Sequence, residues 1–350
     1  MKPVLFVTGH VPPDRAAAFE RLHALAGIEL ALYGGRHQHG AASAPPPPAV
    51  PHCFVVQREV GELIASGGHR AVVVGTGGRV ALPLAWRASR RAGLPFVFWA
   101  ALWRTPRTAA HLAALPLMRR IYRDAAAIVT YGEHVSAHVR RHGATRVFVA
   151  PQAVDNEFWS APAAPRVDER FAALFVGRAA REKGLAVALR AWRAAALNGT
   201  FTVVGDHRSL PADIVAPGAL DPSRLRNFYA ASDVLVVPSI ITRRFIEPWG
   251  MVVNEAMNQG AAIIASDAVG AAAGGLVRDG RNGLIVPAGD ASALAAALRS
   301  LAGDRARCAA MGAAGRADVG GHSLDAWASG FAQALEFSVS KSARTGSVAR

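Results

Sequence analysis

The chain has 350 residues, 51% hydrophobic and 18% charged. That excludes a disordered or fibrous chain and is more than one core usually needs, so two domains are expected. The formal net charge is +14, and the only two cysteines, Cys53 and Cys308, lie far apart, which suggests no disulfide framework or metal cluster and makes a reducing cytoplasm the default. No stretch approaches the roughly 20 uninterrupted apolar residues of a membrane span. The apolar part of Met1–His10 is too short for a signal peptide and reads as a first buried strand.

The charge is uneven. Residues 1–160 carry 18 Lys+Arg against 9 Asp+Glu, and residues 161–350 carry 21 against 16. Two readings stay open. A basic surface favours anionic headgroups, nucleic acid or a phosphorylated acceptor. Alternatively, the arginines reflect an Ala/Gly/Arg-rich composition. There is no arginine run or aromatic-interleaved basic stripe, so no nucleic-acid partner is expected.

In chain order, Val4–Thr8 is an apolar strand, Asp14–Leu25 has helical periodicity, and Ile28–Tyr33 is the next strand. Strand, helix, strand at this pitch is a βαβ unit and argues a parallel sheet. The segment 36–51, with Pro45–Pro48 in a row, reads as a polyproline-like surface loop. Phe54–Gln57 reads as a strand or as the start of the following helix. Ala71–Gly75 is a buried strand followed by Thr76-Gly77-Gly78. A glycine turn at a strand's C-terminal end lies where open α/β sheets bind ligands, although the full dinucleotide fingerprint is missing. Helix Val80–Arg91, strand Pro95–Trp99 and helix Thr108–Arg123 follow. The last carries Leu112, Leu115, Leu117, Met118 and Ile121 beside Arg119, Arg120 and Arg123, which suits packing on the sheet or contact with a membrane surface. His111 within it reads as a solvated or structural histidine. Strand Ala127–Gly132, a helix ending at His142-Gly143 and strand Val147–Pro151 close the first domain. Residues 160–165, with two prolines, read as the linker.

The second domain opens with strand Ala173–Gly177. Arg178 and Lys183 then precede a helix, which suits a polyanion clamp or, more plainly, a solvated basic loop. Phe201–Asp206 is a strand and glycine turn. Leu220–Ala231 is a helix with Ser223 as an early cap, and Val234–Pro238 is a buried strand. Then comes Phe245-Ile-Glu-Pro-Trp-Gly-Met-Val-Val-Asn-Glu-Ala-Met-Asn-Gln-Gly260. Pro248 cannot continue a helix and Gly250 has no side chain to hold a ligand away. Met251–Gln259 reads as a helix whose first N–H groups, at Gly250, Met251 and Val252, suit a phosphate. Glu255, one turn in, suits a diol, and Glu247 a second polar group of the same ligand. Both glutamates also fit an ordinary dipole-favoured helix start. Strands Ala262–Ala265 and Leu284–Val286, helix Asp290–Leu301 and a final helix Trp327–Phe337 complete the pattern. Residues 338–350 read as a disordered tail.

With Ala231–Ser239 before it, and Gly260–Asp267 and Val277–Pro287 after it, this stretch resembles the signature of retaining glycosyltransferases of family 4. Two glutamates separated by seven residues are followed by a helix, a strand and an Asn-Gly turn. The resemblance implies the α/β GT-B fold, two Rossmann-like doubly wound parallel-sheet domains facing a central cleft. It implies an acceptor-side domain over 1–160, a donor-binding domain over 161–325 and a helix over 326–338 crossing back to the first domain, with 339–350 as tail.

It further implies transfer of a hexose from a nucleoside-diphosphate sugar, UDP- or GDP-linked, to an acceptor hydroxyl in envelope glycan, polysaccharide or glycolipid synthesis. That work is cytoplasmic or peripheral to the inner membrane face. Partners are the donor, a sugar, lipid-linked or polysaccharide acceptor, and an anionic membrane. No cofactor or metal is expected, and there is no Asp-x-Asp pair or His/Cys cluster. By resemblance, Arg178 and Lys183 neutralise the diphosphate together with the backbone of Gly250, Met251 and Val252. Glu255 binds ribose, Glu247 positions the donor sugar, and Gly177 and Gly205 form turns near the nucleotide. Acceptor-side candidates are Arg15, Gly77, Trp103 and Arg104. The chain departs from the family pattern in two places. Ala100 and Ala101 stand where relatives carry a His or Glu, and Gln152-Ala153 replace an Asn-Gly while Val154, Asp155 and Phe158 are kept. Two alternatives stay open: a GT-B sugar-nucleotide epimerase or phosphorylase, and, prompted by these departures, a non-catalytic nucleotide-sugar binder.

Overall fold

A computed structural model describes residues 2–34, 49–164 and 168–348, with side chains described as far as residue 341. The expected polyproline loop at Pro45–Pro48 and the end of the linker at Pro165 lie outside the described residues. The chain forms two units. One comprises Met1–Thr105, Ala109–Gln152 and Leu324–Arg350, and the other Pro106–Thr108 and Ala153–Ser323.

The first unit is built on seven strands: β1 (Val4–Thr8), β2 (Ile28–Leu32), β3 (His52–Phe54), β4 (Ala71–Gly75), β5 (Phe96–Ala100), β6 (Ala127–Thr130) and β7 (Val147–Val149). They pair in parallel in the order β3-β2-β1-β4-β5-β6-β7. Every residue of β1, β4 and β5 is buried. That follows from their continuous apolar runs, because a parallel sheet with helices on both faces leaves no strand face in water. The helices Ala16–Ala26, Ala81–Arg91, Ala109–Asp124 and Glu133–Arg141 supply the crossovers.

The last helix, Leu324–Val348, packs on helix Ala16–Ala26 and on β5, β6 and β7. Phe331 sits 5.5 Å from both Phe6 and Trp99, and Trp327 sits 5.1 Å from Phe19, ring centroid to centroid. Gly330 permits this closeness, since a Cβ there would lie 2.3 Å from the carbonyl oxygen of Val149. The helical backbone runs ten residues beyond the point where the sequence suggested an end and a disordered tail. The apolar anchors that hold this helix lie in its first half, whereas the polar composition of 338–350 drove the shorter expectation.

The second unit has six parallel strands: β8 (Phe171–Val176), β9 (Gly199–Val204), β10 (Val215–Gly218), β11 (Val234–Val237), β12 (Ala262–Ser266) and β13 (Gly283–Val286). Their order is β10-β9-β8-β11-β12-β13. Phe175, Phe201, Val203, Val236 and Ile264 fill one side of the sheet beneath Trp192 and Leu298. Elements not expected from the sequence include the short strand β10, the short helices Asn156–Ser160 and Gly270–Ala273, and the 14-residue helix Arg305–Asp318. At helix Pro222–Ala230 the cap is Asp221 and not Ser223. The Asp221 carboxylate accepts from the Arg224 N–H at 3.0 Å, and the Ser223 hydroxyl donates to the same oxygen at 2.5 Å. Pro222 takes the first helical position, which puts the cap at Asp221, two residues upstream of Ser223.

Candidate active site

In an open parallel sheet, ligands bind beyond the carboxyl ends of the strands where the strand order reverses. The second unit reverses between β8 and β11. The loop after β8 is Gly177–Gly184, and the loop after β11 runs from Pro238 to Glu247. The two are pressed together. Ile240 donates its N–H to the Glu182 carbonyl at 2.9 Å. Gly184 has φ +73°, and a Cβ on it would lie 1.9 Å from the Pro238 carbonyl oxygen. Only glycine fits this position, on grounds of both conformation and space.

These loops bring Lys183 and Glu247 together. Nζ of Lys183 donates to Oε2 of Glu247 at 2.5 Å, and the Ser239 hydroxyl lies 3.4 Å from the same oxygen. Glu247 is only 6% exposed. A carboxylate so far removed from water needs a partner, and an ammonium at contact distance supplies one. The backbone of Glu247 is fixed as well. Its carbonyl accepts from Gly270 at 3.1 Å, and Trp249's carbonyl accepts from Ala271 at 2.8 Å, which straps the Glu-Pro-Trp-Gly turn to the short helix Gly270–Ala273 after β12. Gly250 turns the chain at φ +93° into helix Val252–Asn258. Trp249 donates its indole N–H to Asn254 at 2.7 Å and lies against the His322 ring, centroids 5.6 Å apart.

Glu255 lies on that helix. The Tyr229 hydroxyl donates to its Oε2 at 2.6 Å. Tyr229 is wholly buried. Burial first, and then the charge and hydrogen bond of Glu255, hold its hydroxyl well above the usual phenol range. The phenol is therefore a permanent donor to the carboxylate. Gly177 and Gly205 meet just beyond the ends of β8 and β9. The Gly205 Cβ position would fall 2.1 Å from the Gly177 carbonyl oxygen, which accepts from His207 Nε2 at 2.8 Å. The chain thus brings Gly177, Lys183, Glu247 and Gly250–Val252 to the loops that close one end of this sheet, with Glu255 on the helix that follows. The Arg178 side chain is exposed and makes no ion pair with Glu247. Tyr229, Ser239 and His207 were not singled out from sequence. Tyr229 sits in the helix before β11, and nothing in its local pattern points at Glu255, 26 residues on.

In the first unit the order reverses between β1 and β4. Arg15 lies in the loop after β1 and Gly77 in the loop after β4. The Arg15 guanidinium donates to the Gln152 amide oxygen and lies 5.7 Å from the Trp99 ring centroid. Gln152, a departure from the family pattern, is buried and serves as this arginine's acceptor. Burial raises the Tyr131 hydroxyl, partly offset by the Arg15 charge. A Cβ on Gly77 would come 2.9 Å from the Tyr33 hydroxyl, so the turn lies close against the end of that side chain. Trp103 packs edge-on against His134, centroids 5.7 Å apart, and Arg104 is half-buried. The Thr76 side chain ties the β4–β5 corner to the backbone on both sides. The Thr76 hydroxyl donates to the Trp99 carbonyl at 2.8 Å and accepts from the Ala101 N–H at 3.1 Å. Among the described residues no three His, Cys, Asp or Glu side chains gather as a metal site, and no helix is long and apolar enough to cross a membrane.

Two parallel sheets of seven and six strands with flanking helices define the GT-B fold. The chain is similar over 96% of its length to all of Anabaena Alr3699/HepE, solved with UDP and glucose, at 16% identity and a TM-score of 0.73. It is similar over 96% of its length to 98% of the sucrose-phosphate synthase of Thermosynechococcus elongatus, at 19% identity and a TM-score of 0.72. Residues 170–304 match the family model described as Glycosyl transferases group 1. The D-inositol 3-phosphate glycosyltransferase of Nocardia farcinica (strain IFM 10152) is 37% identical over 102 residues, 29% of this chain and 21% of that protein. The match therefore spans about a fifth of that curated relative's length.

Proposed function

We propose that this chain is a retaining glycosyltransferase that moves a hexose from a nucleoside-diphosphate sugar to an acceptor hydroxyl. The observation that carries the reading is the Lys183–Glu247 pair. It joins a cation and a carboxylate at the sheet's reversal point, inside the stretch that matches the glycosyltransferase family model. Glu255, steadied by Tyr229, takes the ribose hydroxyls. Arg178 and Lys183 meet the diphosphate with the backbone of Gly250, Met251 and Val252. Glu247 holds the donor sugar and, when no donor is bound, holds the Lys183 ammonium in place.

The chemistry asks for little more than charge. The bond from the sugar's anomeric carbon to the diphosphate oxygen breaks, and the diphosphate leaves with the electron pair. The acceptor oxygen attacks the same face, and its proton passes to a phosphate oxygen. Fixed cations aimed at the leaving group stabilise the charge that develops there. No metal is assigned a part. The acceptor is a sugar, lipid-linked sugar or polysaccharide, and the work is done in the cytoplasm or at the inner membrane face.

UDP-glucose is the first donor to test, since a structural neighbour was solved with UDP and glucose. Thermal-shift screening of UDP-, GDP- and ADP-sugars, followed by turnover of the best ligand, tests the proposal. Stabilisation by one donor class with Glu247-dependent release of its diphosphate supports it. Turnover that survives Glu247→Ala and Arg178→Ala overturns the site.

A further inference from the structure

The first unit carries a cluster of arginines that the proposed transfer does not use. Arg87, Arg90 and Arg91 share one face of helix Ala81–Arg91 and, among the described residues, line an open surface concavity of about 260 Å³. Like charges three and four residues apart repel one another on a helix, so this face is costly unless something offsets it. Part of the offset is internal. Arg90 pairs with Asp124 at 3.1 Å, and Arg120 of the neighbouring helix reaches the same carboxylate at 3.8 Å. Both guanidiniums also lie against the Trp86 ring, at 5.2 and 5.7 Å from its centroid. Trp86 is 4% exposed and so forms a fixed floor that holds the two planar groups in place. Arg87 and Arg91 are exposed and form no ion pair with a described residue. Four guanidiniums face one carboxylate, and two of the four are already held in position.

We propose that this pocket binds a phosphate-bearing anion, with Arg87 and Arg91 as its free forks and Arg90 as its ordered one. Guanidiniums present paired N–H donors that match phosphate oxygens. The anion is either a soluble phosphate ester or the headgroup of an anionic phospholipid. The proposal is independent of the transferase reading.

The test uses the full chain, the double variant Arg87→Ala/Arg91→Ala, and a control that removes equal charge from exposed positions of the same unit, Arg58→Ala/Arg79→Ala. Pyrophosphate binding is followed by calorimetry, and retention is measured on phosphatidylcholine vesicles with and without phosphatidylglycerol. Losing two charge-assisted contacts weakens binding at this site by at least about tenfold. A pyrophosphate site lost only in the Arg87/Arg91 variant supports a soluble ligand. Loss of phosphatidylglycerol-dependent retention only in that variant supports a headgroup. If that variant keeps both behaviours, or the control loses as much, the proposal is overturned. Arg178→Ala, measured alongside, removes any binding at the donor site and leaves this pocket intact, so failure of the transferase reading is seen separately.

Discussion

Lys183 and Glu247 are 64 residues apart in sequence and 2.5 Å apart in space, with the carboxylate almost wholly withdrawn from water. Their pairing is a stability element as well as a candidate catalytic one. Lys183→Met leaves a buried carboxylate without its ammonium. Breaking a fully buried pair costs about 3–5 kcal/mol, and the partial exposure of Lys183 brings the expected loss nearer about 2 kcal/mol. Glu247→Gln combined with Lys183→Met restores most of that stability, since no uncompensated charge remains. Transfer activity falls by about 10²–10³-fold in both variants. Urea melts beside donor turnover separate the two effects, and a double variant that regains activity contradicts the assigned roles.

Tyr229→Phe removes one donor from Glu255 and leaves the ring packing intact. The expected cost is about 1 kcal/mol in stability, with a matching several-fold loss of nucleotide affinity. Calorimetric titration with UDP checks it. Unchanged affinity would show that Tyr229 merely satisfies the carboxylate and does not orient it.

Gly270→Ala places a Cβ 1.9 Å from the Pro248 carbonyl oxygen. Backbone must move, and overpacking of this kind costs about 1–3 kcal/mol. Because Gly270 also donates to Glu247's carbonyl, the displacement falls on the Glu-Pro-Trp-Gly turn, and donor affinity drops with stability. Gly303→Ala, at the end of helix Ala291–Gly303 with nothing within 4 Å, is the contrast. It is neutral or stabilising by about 0.5 kcal/mol.

Burial, helped by the His142 and Arg141 charges, pushes the His138 imidazole down from 6.5 to about 4. Between these values the unfolded chain binds a proton that the folded protein does not, so stability rises with pH across that window and is lost as pH falls from 6.5 toward 4. His322 is lowered too, by burial and then by Arg278, opposed by Asp318, and contributes in the same direction. His138→Gln therefore flattens the profile below pH 6.5 without abolishing it. Denaturant melts of both proteins at pH 4.5, 5.5 and 7 read this directly, and parallel profiles contradict it.

Sequence alone determined the class of architecture. The unbroken apolar runs of β1, β4, β8, β11 and β12 suit only strands covered on both faces, and the intervening 3.6-residue periodicities make the crossovers. It also determined the stretch of interest, because Pro248 and Gly250 punctuate a helix start whatever surrounds them. What it left undecided was pairing. Local pattern carries no information about which residue from another loop arrives beside a given carboxylate. That Lys183 meets Glu247, Tyr229 meets Glu255 and Gln152 meets Arg15 follows from the strand order, which reverses between β8 and β11 and between β1 and β4. The short elements were missed for a related reason. Helix Gly270–Ala273 has too few residues to show a period, and tertiary contact at Pro248 holds it in place. The same contact decides that Glu247, legible as a glutamate at a loop, stands buried against Lys183 and is not an ordinary solvated helix cap.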